Sequence, residues 1–270
     1  MPRPLEPDDP RWLDEYRLTG RLGEGTHGVV YEGRAPDGTR VAVKALRPLE
    51  GPAPIAAHVE AMRRAAPRHI ARVLGARLDG PAPYVAVEFI EGPNLLATLS
   101  VGPPLAGGTL RRLAVDTAAA LADLHAAGLV YGCPWPGDVL VALEGPRLTG
   151  FGAVRNGAGH LARAPRGAGA LVWIAPEFLR CLPLGAASDI YGWGAIVLFA
   201  ATGRDLFPPD SLPAIVHRVL NTQPDLSVLP EPLRSLVGVA LAKDPAVRPS
   251  ADLILSGLGP PRLPHRPVGR

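Results

Sequence analysis

The chain has 270 residues, 47% of them hydrophobic, which is enough for one large domain or two lobes. Its net charge of +3 and sequence pI near 9.1 come without a basic block or interleaved aromatic and basic residues, which argues against nucleic-acid binding. Two cysteines, Cys133 and Cys181, make no disulfide framework, and no apolar run approaches the ~20 residues of a membrane span. With no signal-peptide pattern at the N-terminus, a cytoplasmic location is expected.

Residues 1–11 are Pro-rich and acidic and are expected to be disordered. Strand-like stretches follow at Tyr16–Leu22, Val29–Gly33 and Arg40–Leu46, with Pro36-Asp37-Gly38 as a hairpin turn between the last two. Between the first two lies Gly23-Glu24-Gly25-Thr26-His27-Gly28-Val29-Val30, a G-x-G-x-x-G-x-V pattern. Glycines alone serve any tight turn. Here the pattern joins two strands, and Val41-Ala42-Val43-Lys44 follows on a third. Lys44 is one of only two lysines among 28 basic residues, the other being Lys243. A solvated strand lysine is the plainer alternative, but its place in the motif favours a phosphate-binding role.

This combination resembles the protein kinase superfamily, most closely the bacterial Ser/Thr kinases. The resemblance implies an α+β, bilobal fold: an antiparallel sheet lobe with one helix at 12–90, a larger helical lobe at 91–259, and a basic Pro-rich tail at 260–270. It also implies an ATP cleft. Gly23, Gly25 and Gly28 would lie over phosphates, and Lys44 would pair with them. Val30, Ala42 and Leu140 would enclose the base, with the backbone of Glu88 and Ile90 facing it and Val87 behind. A helix is predicted from Pro54 to Ala66, and on it Glu60 falls where the family places the carboxylate partner of its lysine. An exposed helical Glu is the alternative.

In the second lobe a long Ala- and Leu-rich helix, Thr109 to Ala127, is ended by Gly128. After it comes Tyr131-Gly132-Cys133-Pro134-Trp135-Pro136-Gly137-Asp138, then Val139-Leu140-Val141. An active relative would carry His-Arg-Asp, a Lys two residues on, and an Asn three beyond. Here the base position is Cys133, the lysine position is Trp135, and Asp138 stands for the Asn. Gly150-Phe151-Gly152 replaces Asp-Phe-Gly, so the principal Mg²⁺ ligand is missing at Gly150 and only Asp138 remains for a metal. One carboxylate suits Mg²⁺ poorly. Ala153 to Ile174 contains no Ser, Thr or Tyr, and Ala170 stands where the activation-segment Thr would.

The scaffolding residues persist. Ala175-Pro176-Glu177 is intact, Arg248 is the expected ion-pair partner of Glu177, and Asp189 opens an apolar helix to Thr202, capping it or bracing the loop. Three functions compete: an ATP-binding pseudokinase with little or no use of Mg²⁺, a low-activity or atypical Ser/Thr kinase, and a nucleotide-independent interaction module. In the last, Trp135 fills the phosphate space and Trp173 lies on an exposed surface. A protein partner is expected, either an active kinase or another signalling protein.

Overall fold

In the computed structural model, strand alternation in the first ninety residues builds a six-stranded antiparallel sheet in the order β1-β2-β3-β4-β6-β5. The strands are β1 Trp12–Leu13, β2 Tyr16–Gly25, β3 Gly28–Arg34, β4 Arg40–Leu46, β5 Val73–Arg77 and β6 Tyr84–Glu88. The structure describes residues 2–25, 28–47, 53–65, 68–149, 168–208 and 210–259. Gly150 and the 260–270 tail lie outside them.

Side chains two apart share a face of a strand. Val41 and Val43 of β4 therefore join Leu13, Tyr16, Leu18, Tyr31, Tyr84 and Ala86 in one apolar cluster. Ala42 points the other way, into the main core. The predicted turn forms between β3 and β4. Gly38 takes the left-handed conformation at φ 84°, its N–H donates to Ala35 O at 2.9 Å, and Asp37 accepts from the Thr39 N–H at 2.9 Å.

The expectation of a disordered N-terminus is corrected for residues 2–11. Arg3 and Arg21 exchange backbone hydrogen bonds at 2.8 Å, and Leu18 N–H donates to Arg11 O. Asp9 is buried beneath Tyr31 and Arg21. The acidic composition that suggested solvation instead supplies the partner for a buried arginine.

Helix α1, Ala53–Ala65, crosses the sheet with Val59 and Met62 buried at the i, i+3 spacing of one stripe. The second lobe is led by α2 Leu95–Val101, capped by the Asn94 side chain, and α3 Gly107–Ala126. A short hairpin of β7 Val139–Ala142 and β8 Gly145–Leu148 follows. Then come α4 Pro176–Leu179, α5 Ala186–Thr202, α6 Leu212–Asn221, α7 Leu233–Ala240 and α8 Ala251–Leu258. Every residue of α5 from Ser188 to Ala201 is buried, as expected of a helix apolar on all sides. Trp193 donates from its indole to Ala114 O at 2.9 Å, tying α5 to α3. The lobes are joined by backbone: Leu148 N–H donates to His69 O and Ala71 N–H to Leu148 O.

Candidate functional site

The glycine pattern lies on the β2–β3 hairpin, where Gly23 pairs with Val30, Glu24 with Val29 and Gly25 with Gly28. Gly28 has φ 144°, and a Cβ there would sit 1.9 Å from Ala45 O. Only glycine allows this approach of β3 to β4. Val30 is the cross-strand neighbour of Lys44, and Ala42 is that of Val87. Ala42 and Lys44 share the sheet face that looks towards the second lobe. Val30, Ala42, Val87, Ile90 and Leu140 belong to one apolar cluster. At Glu88 the backbone N–H is engaged by Arg72 O at 2.9 Å, and the carboxylate is ion-paired to Arg147 of β8. Arg147 also donates to Ile70 O at 2.9 Å, just ahead of β5.

The pairing expected between Glu60 and Lys44 is corrected. Glu60 is exposed, and its ion pairs are with Arg64 at 3.5 Å and Arg63 at 3.8 Å. With Ala56, Val59 and Arg63 it lines a groove between α1 and β5, against Val73, Ala76 and Arg77. The inward stripe is set by Met62, and one helical turn before Met62 stands His58. Its Nε2 is buried and has no hydrogen-bond partner among the described residues. Burial pushes the His58 imidazole down, and the Asp189 carboxylate of the other lobe pulls it back up in part. Sequence reading passed over His58 because it looked for a carboxylate; the i, i+4 relation to Met62 was the available signal.

The loop before β7 is shaped by Asp189. Its Oδ2 accepts from Tyr131 N–H at 2.7 Å and lies 3.0 Å from His125 Nε2; its Oδ1 accepts from Gly132 N–H at 2.7 Å and Cys133 N–H at 3.0 Å. The carboxylate is fully buried, so these donors replace the water it has lost. Gly192, three residues on, lets the helix reach the loop, since a Cβ there would lie 2.5 Å from Pro134 O. Cys133 is half-buried at φ 57°, an uncommon conformation for a side chain with a Cβ, held in place by the Asp189 bonds. Trp135 folds back on its own loop: a Cβ at Gly137 would meet its ring at 2.4 Å. Asp138 is buried and accepts from Trp135 N–H at 3.3 Å, while its carbonyl accepts from Thr149 N–H. Asp138 therefore caps this turn. Among the described residues no three His, Cys, Asp or Glu side chains converge as metal ligands. Asp138 by itself does not fit the oxygen-rich shell Mg²⁺ requires.

Glu177 and Arg248 form a buried, doubly hydrogen-bonded pair, supported by Ser188 Oγ donating to Glu177 Oε1 at 2.6 Å. Burial raises the Glu177 carboxyl, but the bonds from Arg248 and Ser188 outweigh it and hold the group below its ordinary value. Trp173 is core, packed edge-to-face on Phe199 with ring centres 5.2 Å apart, so the expectation of an exposed Trp173 surface is corrected. No helix among the described residues is long and apolar enough to cross a membrane.

A curled antiparallel sheet bearing one helix, hinged to a helical lobe at a glycine-roofed cleft, defines the protein kinase fold. The chain belongs to the protein kinase domain family, which matches it over residues 16–257. It is 36% identical over 264 residues to the "probable serine/threonine-protein kinase PkwA" of Thermomonospora curvata, covering 96% of this chain and 36% of the relative. It is 31% identical over 258 residues to the serine/threonine-protein kinase AfsK of Streptomyces coelicolor, covering 92% and 32%, and 30% identical to PkaA of the same organism, covering 90% and 49%. The chain thus spans from about a third to about half of the length of these relatives.

Proposed function

We propose that this protein is a pseudokinase: a kinase-fold protein that binds ATP or a related nucleotide and acts through conformation or partner contact, without efficient phosphotransfer. The observation that carries this reading is the loop held by Asp189. Its backbone is braced by three N–H donors, yet Cys133 stands at the base position, Trp135 at the lysine position, and Asp138 is turned onto the Trp135 amide. Phosphoryl transfer depends almost wholly on positioning and charge neutralisation, so losing base, lysine and metal ligand together removes most of it. Retention of the glycine hairpin and Lys44 supports the nucleotide part. Gly23, Gly25, Gly28 and Lys44 would hold phosphates; Val30, Ala42, Ile90 and Leu140, with the Glu88 backbone, would hold the base. ATP would supply a ligand whose occupancy orients the two lobes. The partner would be a protein, such as an active kinase or a signalling protein.

Dye-monitored melting with ATP, first with Mg²⁺ and then with EDTA, tests the proposal. A stabilising shift that survives EDTA is expected, and no shift in either condition sinks nucleotide binding. The names of the relatives favour a second reading, a weak or atypical Ser/Thr kinase using Asp138 for metal. Radiolabel transfer abolished by Lys44→Ala would support that reading over the first.

A further inference from the structure

Residues 2–13 run along the free edge of β2, and the strongest contacts they make are to Arg21, two residues before the first glycine of the turn. Arg3 pairs with Arg21 through two backbone hydrogen bonds of 2.8 Å. Asp9 reaches over the same position: its Oδ2 is 2.9 Å from Arg21 Nε, and its Oδ1 accepts from Tyr31 Oη at 2.6 Å. Glu6 is ion-paired to Arg21 as well, and the Glu6 N–H donates to Asp9 Oδ2 at 2.7 Å, closing the segment on itself. Arg21 and Tyr31 are direct cross-strand neighbours, so one carboxylate ties β2 to β3. β2 is irregular on both sides of this point, with register shifts between Leu18 and Gly20 and between Arg21 and Gly23. Such shifts bend a strand and weaken its ladder. The charges then continue into the turn: Arg21 is 3.8 Å from Glu24, and Glu24 is 3.3 Å from Arg47 at the end of β4.

Tyr31 faces the outer apolar cluster, and its neighbour Val30 faces Lys44. The contacts therefore grip the hairpin from the face opposite the cleft. They cannot touch a nucleotide. What they can do is limit the conformations of the hairpin strands that carry Gly23, Gly25 and Gly28.

We propose that residues 2–13 are a strap, with Asp9 as its latch and Arg21 as its anchor, that holds the glycine-bearing ends of β2 and β3 in their nucleotide-binding arrangement. Asp9 and Arg21 are positioning residues, and the affinity of the cleft is set in part by a segment that never enters it. Detaching the strap loosens the β2–β3 hairpin and weakens nucleotide binding. This rests on the nucleotide reading above, so the test separates the two.

Amide hydrogen exchange and binding of a fluorescent ATP analogue are measured on the full chain and on Asp9→Ala, well below the melting temperature. Removing bonds to a charged latch is expected to speed exchange over residues 20–33 about tenfold and to weaken analogue binding by a similar factor, with exchange over 84–90 unchanged. A purely structural role would lower the melting temperature but leave the affinity of the folded protein intact, and that result overturns the proposal. Unchanged exchange over 20–33 overturns it too. Should Asp9→Ala not fold, Tyr31→Phe removes one latch bond with little loss of volume and is held to the same two readouts. A wild-type chain that binds no analogue overturns the nucleotide reading, and exchange over 20–33 still decides whether the strap holds the hairpin.

Discussion

Arg248 meets Glu177 through two parallel hydrogen bonds, Nη1 to Oε1 at 2.7 Å and Nη2 to Oε2 at 2.8 Å, with side chains 0% and 3% exposed. Two further Arg248 donors go to Ala242 O and Ala187 O, so the guanidinium bonds three segments of the second lobe. Removing one member strands the other charge in the interior. Arg248→Met is therefore expected to cost about 3–5 kcal/mol in urea unfolding, while the double change with Glu177→Leu recovers much of the loss. Because the Glu177 carboxyl is held below 4.5, its contribution is present above that value and is lost as pH falls through the lower folded-state value.

Asp189 supports the loop in a comparable way but with neutral donors. Asp189→Ala would leave the N–H groups of Tyr131, Gly132 and Cys133 buried without this acceptor, at about 1–3 kcal/mol each. The expected outcome is a loss of at least about 3 kcal/mol, or failure to fold, read by calorimetry. A loss under about 1 kcal/mol would mean that the loop finds other acceptors.

The two acidic or imidazole positions of α1 make opposite predictions. Glu60→Gln breaks only exposed ion pairs and should change stability by less than about 0.5 kcal/mol, with no effect on a nucleotide-induced melting shift. His58→Glu puts a carboxylate on the inward stripe. It should enlarge that shift if a cation of the cleft recruits it, even while the buried charge lowers the melting temperature of the free protein. An effect at Glu60 and none at His58 would return the pairing role to Glu60.

Much of this architecture was legible because it rests on periodicity and turn chemistry. Alternation across Arg40–Leu46 matches β4 residue for residue, Pro36-Asp37-Gly38 makes the turn it predicts, and the all-apolar run after Asp189 is the buried helix. The scaffold pair Glu177 and Arg248 was legible because a buried Arg–Glu pair is hard to lose by halves. Facing was harder. Glu60 and His58 differ by two residues on a helix, about 200° of rotation, and a motif aligned without a fixed anchor on that helix does not choose between them. The order in residues 2–11 was missed for another reason: composition reports average solvation, whereas the Arg3–Arg21 backbone pair and the Asp9 carboxylate over Arg21 and Tyr31 hold the segment. Trp173 was read as a surface because large aromatics are conspicuous, and packing against Phe199 claimed it.

Lys243, the second of the two lysines, carries the last prediction. Its Nζ is buried with no hydrogen-bond partner among the described residues, 5.5 Å from the centre of the Phe207 ring and 5.7 Å from that of Tyr191. Burial, together with the nearby Arg248 and Arg180 charges, pushes its pKa down to about 8 from 10.5. Between those values the unfolded chain holds a proton that the folded chain has released, so stability rises with pH. Tyr191 and Tyr84, pushed up by burial, act in the opposite sense only above the ordinary tyrosine value of 10.0. The clean window therefore runs from about pH 8 to about pH 9.5, and the gain across it is about 1 kcal/mol once partial exposure of the side chain is allowed for. Lys243→Met keeps the volume and removes the charge. It should raise the urea midpoint at pH 7 and flatten its rise between pH 8 and 9.5; a variant whose profile still climbs as steeply as wild type would assign the pH dependence to another group.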